Sequence, residues 1–214
     1  MSATRIHIAI AIAALVWAVL LVSQGVGLRG SYLQPYELAA GIAVAALSAF
    51  DLWLWRFRPF RWFSGKPILR GTWKGLLQTT WKDPVTGVVP GPIEVYLAVD
   101  QTYSSVSASL ITNQSQSGTM ACEVSQVWPG RYTLVGTYLN EPRQLLRDGS
   151  PIHHGTMLLN AAGKHPARLE GAYWTDRNTA GELVFEGYDS RIVTDFATCS
   201  KAFTKPKKTR ARSQ

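Results

Sequence analysis

Apolar positions are distributed along this chain in two different ways. Residues 6–26 and 36–55 are almost wholly apolar, and each is about as long as the ~20 residues that cross a bilayer core at ~1.5 Å rise per residue. From Gly71 onward the pattern changes to short runs in which apolar and polar positions alternate. Trp73, Leu77 and Trp81 stand against Thr72, Lys74, Gln78, Thr80 and Lys82 in Gly71–Lys82, and Ile93, Val95, Leu97 and Val99 alternate with Glu94, Tyr96, Ala98 and Asp100. Further runs cover Tyr103–Thr112, Thr119–Val127, Arg131–Leu139, His153–Asn160, Arg168–Thr175, Gly181–Gly187 and Arg191–Thr198. Period-two alternation places successive side chains on opposite faces of a strand. Asp83-Pro84-Val85-Thr86-Gly87, Asn113–Gly118, Pro129-Gly130 and Asn140-Glu141-Pro142 separate the runs with turn chemistry. Eight or nine short strands at this spacing predict an all-β small antiparallel barrel, lipocalin-like, with no convincing soluble helix from residue 71 on.

The two apolar runs predict a transmembrane hairpin ahead of that barrel: residues 1–5 outside it, helices over 6–26 and 36–55, and a short loop over 27–35. A secretory signal peptide is the competing reading of the first run, with Arg5 as its positive region. The run is longer than a usual signal core, no clean small-x-small cleavage pattern follows it, and a second span comes soon after. Arg29 is the sole cation of the loop, whereas Arg5 precedes the first span and Arg56, Arg58, Arg61, Lys66 and Arg70 follow the second. The positive-inside rule then places both ends in the cytoplasm, with residues 27–35 across the inner membrane and Trp53, Trp55, Trp62 and Phe63 as an inner aromatic belt. Asp51, about a turn from Arg56, is read as an interfacial carboxylate or as a polar contact in an assembly.

Net charge is +8 over 214 residues, but it is unevenly spread. The basic linker 56–70 holds five cations, the tail 201–214 six with no acid, and Gly71–Ser200 has nine cations against twelve acids. A mildly acidic globular part with basic flanks points to anionic headgroups of a lipid bilayer and away from a nucleic-acid polymer. The tail 201–214 is expected to be disordered. Cys122 and Cys199 have neither metal nor redox spacing and suit a reduced compartment.

No phosphate-cradling glycine loop, dinucleotide fingerprint or nucleophile elbow is present. His153 and His154 are adjacent, so in a strand they face opposite sides and do not readily share a metal. The expectation is a binding protein that is not an enzyme, with no cofactor and no metal. The stretch with most to offer is Gly171–Phe185. Its first half puts Leu169, Gly171, Tyr173 and Thr175 on one face, and its turn holds Asp176, Asn178 and Gly181 around Arg177. Spacing leaves two readings of Arg177 open: a solvated turn arginine beside Asp176, or a cation for an anionic or planar ligand. Tyr138, Asn140, Tyr173, Thr175 and Arg177 together are candidates to stack rings and hold phosphate.

These features resemble the two-transmembrane β-barrel effectors of bacterial CBASS antiphage systems. The resemblance rests on the architecture, on Gly71-Thr72-Trp73-Lys74-Gly75, on Tyr138-Leu139-Asn140-Glu141-Pro142, and most on Gly171 to Gly181. It implies a barrel over 71–200 that senses a cyclic dinucleotide made by a CD-NTase nucleotidyltransferase. It also implies a homo-oligomer on activation, disruption of the inner membrane, and cell death that aborts the infection. In that scheme Arg177 neutralises a phosphate, Thr175 and Asn140 hydrogen-bond phosphate or base, and Tyr138 and Tyr173 stack. The alternative from a different class is a membrane-tethered lipocalin-like carrier or scaffold, with Trp73, Leu77 and Trp81 lining a cavity for an apolar ligand.

Overall fold

The computed structural model describes Leu15, Val19, residues 33–83 and residues 86–204, with side chains left out for 33–38, 62 and 63. It divides into two compact units, Met1–Ser64 and Gly65–Gln214, each taken here by itself.

In the first unit helix α1 spans Leu33–Leu52, a 3-10 turn covers Leu54–Arg56, and helix α2 spans Arg58–Ser64. The second expected span, 36–55, is therefore displaced, because α1 stops at Leu52, whose carbonyl accepts from Arg56 Nη2 at 3.1 Å. Among the described residues no helix is long and apolar enough to cross a membrane. Glu37 and Asp51 bracket an uncharged stretch over 38–50, or ~20 Å of helix against a hydrocarbon core of ~30 Å. The first expected span, 6–26, lies outside the described residues apart from Leu15 and Val19. Of the expected aromatic belt, Trp53 is exposed and Trp55 is buried, and the side chains of Trp62 and Phe63 lie outside the description. The linker over 56–70 is partly helical.

The second unit is a closed antiparallel barrel in sequential order. Its strands are β1 Gly71–Thr79, β2 Ile93–Gln101, β3 Val106–Ile111, β4 Ser115–Trp128, β5 Arg131–Pro142, β6 His153–Ala162, β7 Leu169–Thr175 and β8 Ala180–Asp189. Closure comes from β1, which pairs with β2 on one side and β8 on the other. Alternation in each strand turns one parity inward: Trp73, Leu97, Leu134, Met157, Leu183 and Phe185 pack in a single core. We call the end where β1 starts proximal and the end where it finishes distal. Residues 65–70 close the proximal end. Gln101 clips them by accepting from Leu69 N at 2.8 Å and donating to Pro67 O at 2.9 Å, while Trp73 Nε1 donates to Leu69 O.

Several expected boundaries move. The third strand shortens from Tyr103–Thr112 to Val106–Ile111, and the expected loop Asn113–Gly118 is largely strand, since β4 begins at Ser115. There, Ser117 pairs with Asn140 and Gly118 with Leu139. The ninth expected strand, Arg191–Thr198, does not form. A loop and a third helix, α3, Phe196–Thr204, take its place, correcting the expectation of no helix in this region. Asp195 starts α3 by accepting from Thr198 N at 2.8 Å, and Phe196, Cys199 and Phe203 cover Tyr96, Ala98 and Ile111 on the outer wall. The tail expected to be disordered from Lys201 is thus helical to Thr204; residues 205–214 lie outside the described residues. Trp73 and Leu77 fill the interior rather than line a cavity, so the carrier reading loses two of its three lining residues, and half-buried Trp81 lies beyond the end of β1.

Strand β7 approaches β6 so closely at Gly171 that a Cβ there would collide with the carbonyl oxygen of Leu158. Gly171→Ala is expected to destabilise the protein by about 1–3 kcal/mol through backbone displacement. Urea denaturation checks this; an unchanged midpoint would contradict it.

Candidate ligand site at the distal mouth

The distal mouth is assembled from strand ends of opposite direction. Strands β1, β3, β5 and β7 finish there and β2, β4, β6 and β8 begin there, as their pairings require. The same inward parity that carries core residues at the proximal end carries Thr79, Ser117, Tyr138, Asn140, Tyr173 and Thr175 toward the mouth. The five residues singled out from sequence are therefore brought to one end of the barrel.

Their hydrogen bonding differs in a way that matters. Tyr173 is buried, and its hydroxyl donates to Thr79 Oγ1 at 2.8 Å. Asn140 is buried and accepts at Oδ1 from Ser117 Oγ at 2.8 Å. Thr175 shares a 2.6 Å hydroxyl contact with Thr179, and its oxygen accepts from Arg177 N at 3.3 Å. Tyr138 is 4% exposed, yet its hydroxyl makes no hydrogen bond among the described residues. Gly155 on β6 gives that ring its room: a Cβ at Gly155 would collide with the Tyr138 hydroxyl. Burial pushes the Tyr138 phenol well above its ordinary range, with the nearby Tyr173 and Asp176 adding to it. Burial also raises Tyr173, against the lowering effect of its bond to Thr79. Both are neutral donors at physiological pH.

The β7–β8 turn presents Arg177. Asn178 adopts a left-handed backbone at φ 55°, a conformation that asparagine tolerates. Asp176 faces back to β6: its Oδ2 accepts from His154 N at 3.0 Å, with His154 Nδ1 at 3.4 Å. That backbone N–H is the main cause of a carboxyl pKa below the ordinary aspartate value. Arg177 does not pair with Asp176. It reaches the β5–β6 loop instead, where Nη1 donates to Ser150 Oγ at 2.9 Å and Nη2 to Gly149 O at 3.5 Å. Both partners are neutral, and among the described residues Arg177 forms no ion pair. Arg177 is thus a half-buried turn arginine beside Asp176 whose hydrogen bonds go to the β5–β6 loop.

Two clefts lie on the outer wall. One of about 740 Å³ runs between Ser109, Thr119, Arg143, Arg147 and the start of α3. The other, about 590 Å³, lies over Lys74, Gln78, Glu182 and Glu186. Neither takes in Tyr138, Asn140, Tyr173, Thr175 or Arg177. The mouth is bounded by the strand ends and by the β5–β6 and β7–β8 connections. Residues that complete it and that sequence reasoning missed are Thr79, Ser117, Ser150 and Gly155. Ser115, Ser117 and Thr119 share one parity, which was the available signal for extending β4 toward Asn140. His153 sits opposite Asn140 while His154 contacts Asp176 on the other face of β6, so the two imidazoles are separated by the strand.

Residues 64–187 match the family model described as Cap15, cyclic dinucleotide receptor domain. No curated protein matches the chain.

The two tyrosines differ in what their hydroxyls support. Tyr173→Phe removes one of the two donors to Thr79 Oγ1, leaving that of Trp81 N, and is expected to cost about 0.5–1.5 kcal/mol, whereas Tyr138→Phe is expected to stay within about 0.5 kcal/mol of the parent. Denaturation midpoints separate the two. Asp176→Asn gives a pH signature. A carboxyl whose folded pKa is depressed adds stability above its unfolded pKa and loses it as pH falls through the folded value. The parent is therefore expected to exceed the variant in stability at neutral pH, with the gap closing in acid below the ordinary aspartate range. A pH-independent gap in thermal melts would contradict this.

Proposed function

The chain belongs to the family of Cap15 cyclic dinucleotide receptor domains, and we propose that it binds its cyclic dinucleotide across the distal mouth. The family is a receptor of CBASS type rather than a catalytic one. The observation that carries the placement is Arg177, a cation at the mouth whose hydrogen-bond partners among the described residues are neutral. A phosphate exchanges a hydroxyl and a carbonyl for a charge-assisted, bidentate contact, so the guanidinium gains by the exchange. Tyr138 supplies a donor that the fold leaves without a partner, and Asn140 and Thr175 lie beside it for base edges or the second phosphate. Tyr173 is spent on Thr79 and serves by its ring.

Signalling then follows from linkage. A ligand that prefers an assembled form tenfold shifts the equilibrium by ~1.4 kcal/mol per site. On this reading the occupied mouths join barrels into an oligomer, and the clustered apolar N-terminal segments breach the inner membrane, ending the infected cell. A nucleotidyltransferase active during infection supplies the ligand. The basic juxtamembrane residues and the apolar runs at 6–26 and 36–55 support the membrane part.

Titration calorimetry of the detergent-solubilised chain with a panel of purine and pyrimidine cyclic dinucleotides tests the site. Arg177→Ala is expected to weaken binding at least about tenfold, and Tyr138→Phe to weaken it without loss of stability. Unchanged affinity in both folded variants would overturn the placement at the mouth. Ligand-dependent dye release from vesicles carrying the protein tests the effector step.

A further inference from the structure

The longest strands of the barrel, β4 with 14 residues and β5 with 12, meet at the proximal end in the turn Trp128-Pro129-Gly130-Arg131. Gly130 takes the left-handed conformation at φ 74° that such a turn needs after proline. A bulge between Gln126 and Trp128 leaves Val127 without a partner on β5. The bulge breaks the in-out alternation, and two successive apolar side chains emerge: Val127 is 58% exposed and Trp128 68%. Arg131, opposite Trp128 in the register, is exposed beside them.

The position of this tip is fixed within the barrel unit. Gly130 O accepts from Gly163 N at 2.7 Å, which ties the tip to the β6–β7 loop with Lys164 and His165. Tyr132 donates its hydroxyl to Gly65 O at 3.0 Å, and Ile68 N donates to Lys164 O at 2.9 Å. Gly65 is where the barrel unit begins, so the tip stands at the end of the barrel from which the chain leads back to its apolar runs.

We propose that the β4–β5 hairpin tip is a lipid-contacting site, with Val127 and Trp128 in the headgroup layer of a bilayer and Arg131 against anionic lipid phosphate. It rests on the membrane attachment in the function proposed above. Tryptophan suits that layer because its ring is apolar and its N–H is polar. Cations beside it at a surface gain from anionic lipid. Two side chains on a convex turn present too little area for a stable protein interface, which removes about 800 Å² per partner from water.

The test uses the full chain reconstituted in vesicles of phosphatidylethanolamine and phosphatidylglycerol. An environment-sensitive fluorophore is attached through Val127→Cys or, as a second position, Trp128→Cys. Leu145→Cys serves as the control, since Leu145 lies in the distal β5–β6 loop and is 96% exposed. Burial pushes the native Cys122 and Cys199 thiols up to about 11, so both label slowly at neutral pH. The expected result is a blue-shifted label at position 127 or 128, quenched severalfold by lipid spin-labelled near the headgroup, with the 145 label unquenched. A chain that floats with vesicles while both tip labels stay solvent-like overturns this inference and leaves the membrane reading standing. A chain that does not float with vesicles overturns both.

Discussion

An eight-stranded wall that closes on itself encloses only enough space for one packed set of side chains, and every inward position must be filled or satisfied. Closure here depends on β1 pairing with both β2 and β8. Toward the proximal end the requirement is met by apolar residues and by Gln101, whose amide holds the incoming segment. Toward the distal end the inward parity is polar, and most of its groups satisfy one another, Tyr173 with Thr79 and Asn140 with Ser117. The Tyr138 hydroxyl is what this pairing leaves over. The hydroxyl is thereby left as a donor at the mouth, and a ligand that accepts its hydrogen bond supplies the partner that the described residues do not.

Charge can be followed in the same way, and it sets Arg177 apart from the cations that face carboxylates. Four cations of the barrel unit face carboxylates among the described residues: Arg70 with Asp100, Lys74 with Glu94, Arg168 with Glu170 and Glu186, Arg191 with Asp189. Such exposed pairs add little stability, yet they decide which cation an incoming anion meets without a rival. At Lys74 a phosphate competes with Glu94, whose carboxyl is held below its ordinary pKa chiefly by that lysine. At Arg177 it competes with a serine hydroxyl and a carbonyl. A mildly acidic barrel can still meet an anionic ligand at Arg177, whose guanidinium hydrogen-bonds neutral groups, while Asp100, Glu94, Glu170, Glu186 and Asp189 face other cations.

Alternation made the eight strands legible in the sequence, and parity placed Tyr173 and Thr175 on one face with Leu169. Turn chemistry located the Arg177 hairpin. Helix α3 was missed because Ile192, Thr194 and Phe196 continue a period of two, while Phe196, Cys199 and Phe203 begin a helical spacing that only the outer wall of β2 and β3 makes useful. The strand at Ser115–Gly118 was missed because serine and glycine read as loop until a partner strand supplies the ladder. Partners of Arg177 were beyond reach for the same reason: Ser150 lies 27 residues upstream and meets the guanidinium only after β5 to β8 have paired. The helical end of the first unit was overextended because hydrophobicity alone carried the reading past Asp51 to Trp55.

On the proposed reading the ligand and the bilayer act at opposite ends of one strand. β5 runs from Arg131 at the hairpin tip to Asn140 and Pro142 at the mouth, a length of ~40 Å at ~3.4 Å per residue. Its inward side chains, Tyr132, Leu134 and Tyr138, are all buried in the core. A close-packed interior of this kind deforms little, so a ligand at the mouth has no soft element inside the barrel through which to pull on the far end. The movable parts are the loops that Arg177 tethers and the surfaces by which one barrel meets another. The signal is then carried by which barrels stand together, with the wall transmitting position as a rigid body, and an interfacial anchor at the proximal tip would keep those barrels upright and their mouths in one plane.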